Sequence, residues 1–212
     1  NEDIILLDAF DTSDTTVRGW LQKNKLVAGY ISVGSWEDWR DDKDDWDKDT
    51  IGDEMGWPGE KWVKVREWKK LKPIMSNRFK MMKDKGFQAV EYDNIMMFEP
   101  SHNQGTSRHK DVIAYAKWLA EESHKYGLAA FMKNGSESNG IVLAEKVEPY
   151  MDGLILEEAL GWGSMDDFKE YKGKPIWLFE YNKEVKRKQY GSDVEDSDLE
   201  GAWSDTDELE DE

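Results

Sequence analysis

Residues 86–98 read GFQAVEYDNIMMF. Behind its glycine the stretch opens as a short apolar run with the look of a buried β-strand. It closes on Glu91 and Asp93, two positions apart, which a strand directs to the same side. Apolar runs that end in polar or charged residues recur along the chain: IILLD (4–8), LVAGYISV (26–33), WVKVR (62–66), LAAFMK (128–133), GLILE (153–157) and PIWLFE (175–180). With FQAVEYD (87–93), they make seven expected strands.

Helical patterns lie between the runs. In SRHKDVIAYAKWLAEESHKYG (107–127), Ser107 is placed to cap the start, Val112, Ala116 and Leu119 fall on one stripe, and Gly127 ends it. A second helical stretch, 69–85, is interrupted early by Pro73 and closed by Gly86. Strands alternating with helices imply parallel βα units, because parallel strands need a crossover connection. A doubly wound sheet is disfavoured, since DAFDTSD, not a glycine-rich phosphate loop, follows the first run. The expectation is an α/β fold, a (β/α)8 TIM-type barrel, one strand short of the eight that closure takes.

Composition narrows the function. The 212 residues include 11 Trp, 8 Tyr and 7 Phe, too aromatic for a disordered chain despite a net charge of -17. Residues 193–212 hold 11 acidic side chains and no Lys or Arg, so the rest of the chain carries only -6. We read 1–181 as the barrel, 182–192 as a linker and 193–212 as an acidic, disordered tail able to bind cations weakly. A mildly acidic body argues against nucleic-acid or anionic-membrane partners. With no cysteine, thiolate metal sites and disulfides are excluded. His102, His109 and His124 are not clustered, and no cofactor or metal is expected.

Residues 36–60, WEDWRDDKDDWDKDTIGDEMGWPGE, form a long polar connection with tryptophans at 36, 39, 46 and 57. It reads either as a solvated surface loop or as a platform on which sugar rings stack. In a βα barrel the chemistry sits where strands end. Those ends offer Asp8; Tyr30, Ser32 and Glu37; Arg66; Glu91, Asp93 and Asn94; Lys133 and Asn134; Glu157 and Glu158; Glu180 and Tyr181. Any one carboxylate there is an ordinary solvated loop residue. Repetition over several ends, with Trp and Tyr nearby, points to glycoside chemistry, in which two carboxyl groups flank the scissile bond.

The ordered blocks YISVGSWEDWR, GWPGEKWVKVR, GFQAVEYDN, YGLAAFMKN, DGLILEE and GKPIWLFEY resemble glycoside hydrolase family 114, the endo-α-1,4-polygalactosaminidases related to spherulin-4-like secreted proteins. The resemblance spans about residues 4 to 181. It implies a secreted barrel hydrolysing galactosamine-containing polysaccharide with retention of configuration. On the matching blocks, Asp93 falls on the nucleophile and Glu157 on the acid/base. Asp8, Tyr30, Ser32, Glu37, Trp57, Glu91, Asn94, Lys133, Asn134, Glu180 and Tyr181 become substrate-binding candidates.

The chain also departs from the family pattern. Gly29 and Ala159 stand where relatives have cysteines, Lys64 where they often have aspartate, Tyr92 for proline and Leu156 for asparagine. The family's initial strand has no counterpart before Asn1, so the first barrel strand is expected to be lacking or replaced. A carboxylate-rich mouth suits a cationic amino sugar. The alternative is an inactive barrel serving as an extracellular carbohydrate- or cation-binding structural protein. The sequon Asn134-Gly135-Ser136 lies at the expected mouth and is expected to be unmodified in an enzyme.

Overall fold

A computed structural model describes residues 3–97, 109–134, 138–158, 171 and 173–180. The proposed linker and tail, Tyr181, His102 and the Ser107 cap lie outside the described residues. The strands are β1 (Ile4–Asp8), β2 (Leu26–Ser32), β3 (Ser35–Glu37), β4 (Ile51–Glu54), β5 (Glu60–Val63), β6 (Ala89–Asp93), β7 (Ala129–Lys133), β8 (Gly153–Glu157) and β9 (Ile176–Phe179). Six of them form one parallel sheet in the order β1-β2-β6-β7-β8-β9. Helices α1 (Asp14–Leu21), α2 (Lys72–Lys85), α3 (His109–Lys125) and α4 (Ser138–Val147) alternate with these strands. The sheet is the α/β half-barrel part of the expected architecture, with six parallel strands among the described residues.

One expected barrel strand is elsewhere. Residues 62–66 do not join the parallel sheet: Trp62 and Val63 belong to β5, the middle strand of a small antiparallel sheet ordered β3-β5-β4. The alternation in WVKVR was real, but its partners are local hairpin strands, and Val65 already begins a 3-10 turn. Pro73 does not interrupt a helix either. It sits in the first turn of α2, where a missing N–H costs nothing, and Gly86 closes that helix in the left-handed conformation (φ 101°).

Period-two alternation sorts the sheet's two faces. Val27, Ile31, Val90, Tyr92, Ala130, Met132, Leu154 and Leu156 are buried in the main core with the apolar helix faces. On α3 that face is Val112, Tyr115, Ala116, Leu119, Ala120 and Ser123, which includes the expected stripe. Tyr92, fully buried, satisfies its hydroxyl on the Leu119 carbonyl (3.2 Å) and Ser123 Oγ (2.7 Å). Gly29 leaves room that Met82 and Phe87 occupy: an added Cβ would stand 2.5 Å from Met82 Cε.

The other face lines the axis. Leu6, Ala28, Ala89 and Ala129 are in register across four strands, and small alanines leave space at that level. One step higher, Asp8, Tyr30, Glu91, Phe131 and Gly153 align. Gly153 has no side chain because the Phe131 ring lies over it, stacked on Trp177 at 4.0 Å between centroids. Above this row the lining turns polar, with Ser32 paired to Asp93 and Lys133 to Ile155. No helix among the described residues is long and apolar enough to cross a membrane.

Candidate active site

Three neighbouring strands end in the same way. Asn94, Asn134 and Glu158, each the residue after β6, β7 or β8, have φ of 57°. Such left-handed backbone is tolerated by Asn and strained for Glu. The turn carries the chain off the sheet while its amides still pair with the neighbouring strand: Asn134 N–H donates to the Ile155 carbonyl (2.7 Å) and Glu158 N–H to that of Phe179 (2.9 Å). Asn134 Oδ1 also accepts from the Glu157 N–H (2.9 Å), fixing one strand end against the next. Asp93, Lys133 and Glu157 are thus presented as the last strand residues, side by side.

Lys133 stands between the carboxylates. Its ammonium is 3.0 Å from Glu157 Oε2, 3.4 Å from Asp93 Oδ1 and 3.9 Å from Glu91 Oε1. All four side chains are largely withdrawn from solvent, Glu91 most of all at 2% exposure. Burial alone would lower the lysine's pKa, but Asp93, Glu91 and Glu157 outweigh it and hold it above its ordinary value. Burial pushes Glu91 the other way, up to about 8 against the pull of Lys133, with Asp93 and Glu157 adding to the rise. Its Oε2 is buried without a hydrogen-bond partner. Tyr30 is pushed upward by burial and by the adjacent Asp93, toward which its hydroxyl bonds.

A second ionic group braces the mouth from the β1–β2 side. Arg40 grips Asp8 with two bonds (3.0 and 2.8 Å) and reaches Glu37 at 2.9 Å. Arg78, 1% exposed, holds Asp42 through Nε and Nη2 (2.7 and 3.0 Å) and donates to the Ser32 carbonyl (2.8 Å). Phe10 lies against both guanidiniums. Burial works to raise Asp8, yet Arg40 and the Asp11 and Phe10 amides bring its carboxyl below its ordinary value, while for Glu37 burial prevails and raises it. Asp8 therefore spends both carboxylate oxygens on the frame, and Glu37 its Oε1.

Ser32, Asn94 and Glu60 form a third linkage. Asn94 Nδ2 donates to Ser32 Oγ (2.9 Å) and Glu60 Oε1 (3.3 Å), Ser32 meets Ser35 at 2.5 Å, and Ser35 donates to Glu60. The four tryptophans of the 36–60 segment divide. Trp46 is buried beside Arg78 and Trp36 bonds the Lys43 carbonyl (3.0 Å), whereas Trp39 and Trp57 are 49% and 52% exposed. Three cavities adjoin at these strand ends. One of about 240 Å³ lies along the axis between Asp8, Tyr30, Glu91, Lys133, Glu157 and Phe179. A smaller one of about 120 Å³ touches Asp93, Asn94, Lys133 and Asn134. The third, about 320 Å³, opens beneath the exposed tryptophans.

The expected catalytic pair is thus brought together around Lys133, with Glu91, Tyr30, Asn94 and Asn134 adjacent. Trp57 is at the rim, Ser32 and Glu37 are buried behind it, and Glu180 is half-buried just past β9. Arg66 is exposed on the 3-10 turn, away from this group. Sequence reasoning missed Arg40, Arg78 and Glu60. Arg78 did leave a trace: it interrupts the apolar face Ile74, Met75, Phe79, Met82 of α2, where a charged residue must find a buried partner.

The chain matches the glycoside-hydrolase family GH114 over residues 1–204. No curated protein matches it. Among solved structures, it is similar to Aspergillus fumigatus Ega3 in complex with galactosamine, with 27% identity, TM-score 0.76, and coverage of 84% of this chain and 70% of that one. The glycoside hydrolase domain of PelA from Pseudomonas aeruginosa shares the fold at 14% identity and TM-score 0.63, over 88% of this chain and 79% of that one. Eubacterium rectale Amy13B is a more distant fold match, at 9% identity and TM-score 0.52, over 79% and 42% of the two chains. Carboxylates gathered at the ends of parallel strands and a family match over nearly the whole sequence agree: the chain is a glycoside hydrolase and belongs to family GH114.

Proposed function

We propose that the protein is an endo-acting, retaining hydrolase of α-1,4-linked galactosamine-containing polysaccharide. The observation that carries this reading is the cluster of Glu91, Asp93 and Glu157 around one lysine, an anionic mouth suited to an ammonium-bearing sugar. The similarity to Ega3, whose structure holds galactosamine, supports the sugar. In the first step Asp93 attacks the anomeric carbon while Glu157 gives its proton to the departing glycosidic oxygen. In the second, Glu157 takes a proton from water, which displaces Asp93 from the sugar. Asp93 and Glu157 lie on the strands either side of Lys133. The lysine contacts both, at 3.4 Å from Asp93 Oδ1 and 3.0 Å from Glu157 Oε2, so the two carboxyl groups flank one point.

Glu91, largely protonated at neutral pH, spares the mouth one negative charge, and Tyr30 steadies Asp93. The six-stranded sheet is read as the larger part of a (β/α)8 barrel. The enzyme is read as secreted, acting on polysaccharide outside the cell. Incubation with partly deacetylated α-1,4-galactosamine polymer should release new reducing ends of mixed length. A folded parent that releases none would overturn the reading in favour of a carbohydrate-binding barrel.

A further inference from the structure

Two side chains of the helical layer reach the end of β2 from within the main core. Arg78 of α2 donates through Nη1 to the Ser32 carbonyl (2.8 Å), and the Tyr115 hydroxyl of α3 donates to the next carbonyl, that of Val33 (3.1 Å). Arg78 is 1% exposed and Tyr115 is fully buried, so neither can touch a polysaccharide. What lies beside this strand end is Asp93. Ser32 is its register partner, the Val33 N–H donates to its carbonyl (3.0 Å), and Ser32 Oγ accepts from Nδ2 of the following Asn94 (2.9 Å). Gly34 continues the approach, for a Cβ there would overlap the Asn94 carbonyl. Residues 32–34 form a backbone seat for Asp93 and Asn94, and Arg78 and Tyr115 hold that seat from behind.

Stability alone does not account for the arginine. Taking a guanidinium out of water is costly, and a well-packed apolar side chain often serves a fold as well as a buried ion pair does. What arginine adds is a planar fork of donors with fixed directions. Here one edge of the fork takes both oxygens of Asp42 (2.7 and 3.0 Å), which leaves Nη1 aimed at Ser32. The guanidinium lies over the rings of Phe10 and Trp46, at 4.9 and 5.2 Å, so its plane is constrained as well. Such a group sets the height of a strand end more tightly than apolar packing can. Height matters at a nucleophile, because a misplacement of about 1 Å at the reacting atoms costs about 10²-fold in rate.

On the reading of Asp93 as nucleophile, we infer that Arg78 and Tyr115 are positioning residues for it, acting through the Ser32 and Val33 carbonyls from the far side of β2. They fix where the Asp93 carboxylate stands when it meets the anomeric carbon. Neither contributes to holding the polymer, so their loss falls on kcat and not on KM.

The test is steady-state hydrolysis of α-1,4-galactosamine polymer by Tyr115→Phe, Arg78→Lys and Ser76→Ala. Tyr115→Phe keeps the ring against Trp68 and Trp118 and removes only the donor. It should lower kcat about three- to tenfold, and Arg78→Lys about ten- to a hundredfold, each with KM within about twofold of the parent. Ser76→Ala is the control for a merely structural effect: it removes a bond from α2 to Glu122 of α3 (2.8 Å) without touching β2, and should lower Tm while kcat stays within about twofold. Should Arg78→Lys fail to fold, Tyr115→Phe decides alone. An unchanged kcat in Tyr115→Phe, a rise in KM in place of the fall in kcat, or an equal fall in Ser76→Ala would overturn the positioning role, while hydrolysis by the parent leaves the broader function standing. A folded parent that does not hydrolyse the polymer would overturn both.

Discussion

The Lys133 ammonium lies 3.0 Å from Oε2 of Glu157. The same nitrogen faces Asp93 and Glu91, so one buried cation gathers three carboxyl groups at one point. Lysine is suited to this because its ammonium is a compact point charge with three donors and no preferred plane.

Lys133→Met leaves Asp93 and Glu157 without their cation. We expect a loss of stability of about 3–5 kcal/mol, the range for breaking a buried ion pair from one side. Denaturant unfolding checks it, and Asp93→Asn in the same chain should recover part of the loss by removing one of the stranded charges. Full additivity of the two changes would show that Lys133 does not hold Asp93.

Glu91 gives the fold a pH dependence of a definite sign. Its carboxyl has an ordinary value of 4.5 and is pushed up to about 8 in the folded protein. The folded state therefore favours the protonated form. The stabilisation is complete below the unfolded value and is lost as the pH rises through about 8. Between about pH 5 and pH 9, Glu91→Gln should flatten the fall of unfolding free energy with pH. An unchanged slope would mean that Glu91 is already ionised at the acid end.

Gly153 is needed for its lack of a side chain. A Cβ there would stand 2.2 Å from Phe131 Cε1 and 2.6 Å from the Pro175 carbonyl oxygen. Because one obstacle is backbone, movement of Phe131 alone cannot relieve it. Gly153→Ala should cost about 1–3 kcal/mol by overpacking, read as a lower Tm. It should also disturb the Phe131–Trp177 stack, measurable in near-ultraviolet circular dichroism.

The parallel sheet was legible because its strands are apolar runs, most deeply buried in β2, β6, β7 and β8, and punctuated by polar ends. WVKVR carried the same local signal yet pairs in a hairpin sheet, since alternation records burial and not the identity of the partner strand. As strand-end carboxylates Asp93 and Glu157 were legible for a related reason, each being the last residue of such a run in a parallel sheet that brings its strand ends together; the family resemblance, not the spacing, singled out these two as the expected pair. Arg40 and Glu60 were not, because both lie in the acidic 36–60 segment, where nothing in the spacing separates a buried charge from a solvated one. The tryptophans there show the same limit. Trp46 and Trp39 both have charged neighbours in sequence, but one is packed beside Arg78 and the other stands in water.

The most direct test of the two-carboxylate account is the anomeric configuration of the first-formed product, followed by proton NMR on an α-1,4-galactosamine oligomer. Asp93→Asn and Glu157→Gln serve as controls. The account predicts that the α-anomer appears first and mutarotates later, and that Glu157→Gln slows release by about 10²–10⁴-fold, with Asp93→Asn at least as slow. A β-anomer formed first, or undiminished release by Asp93→Asn, would contradict it.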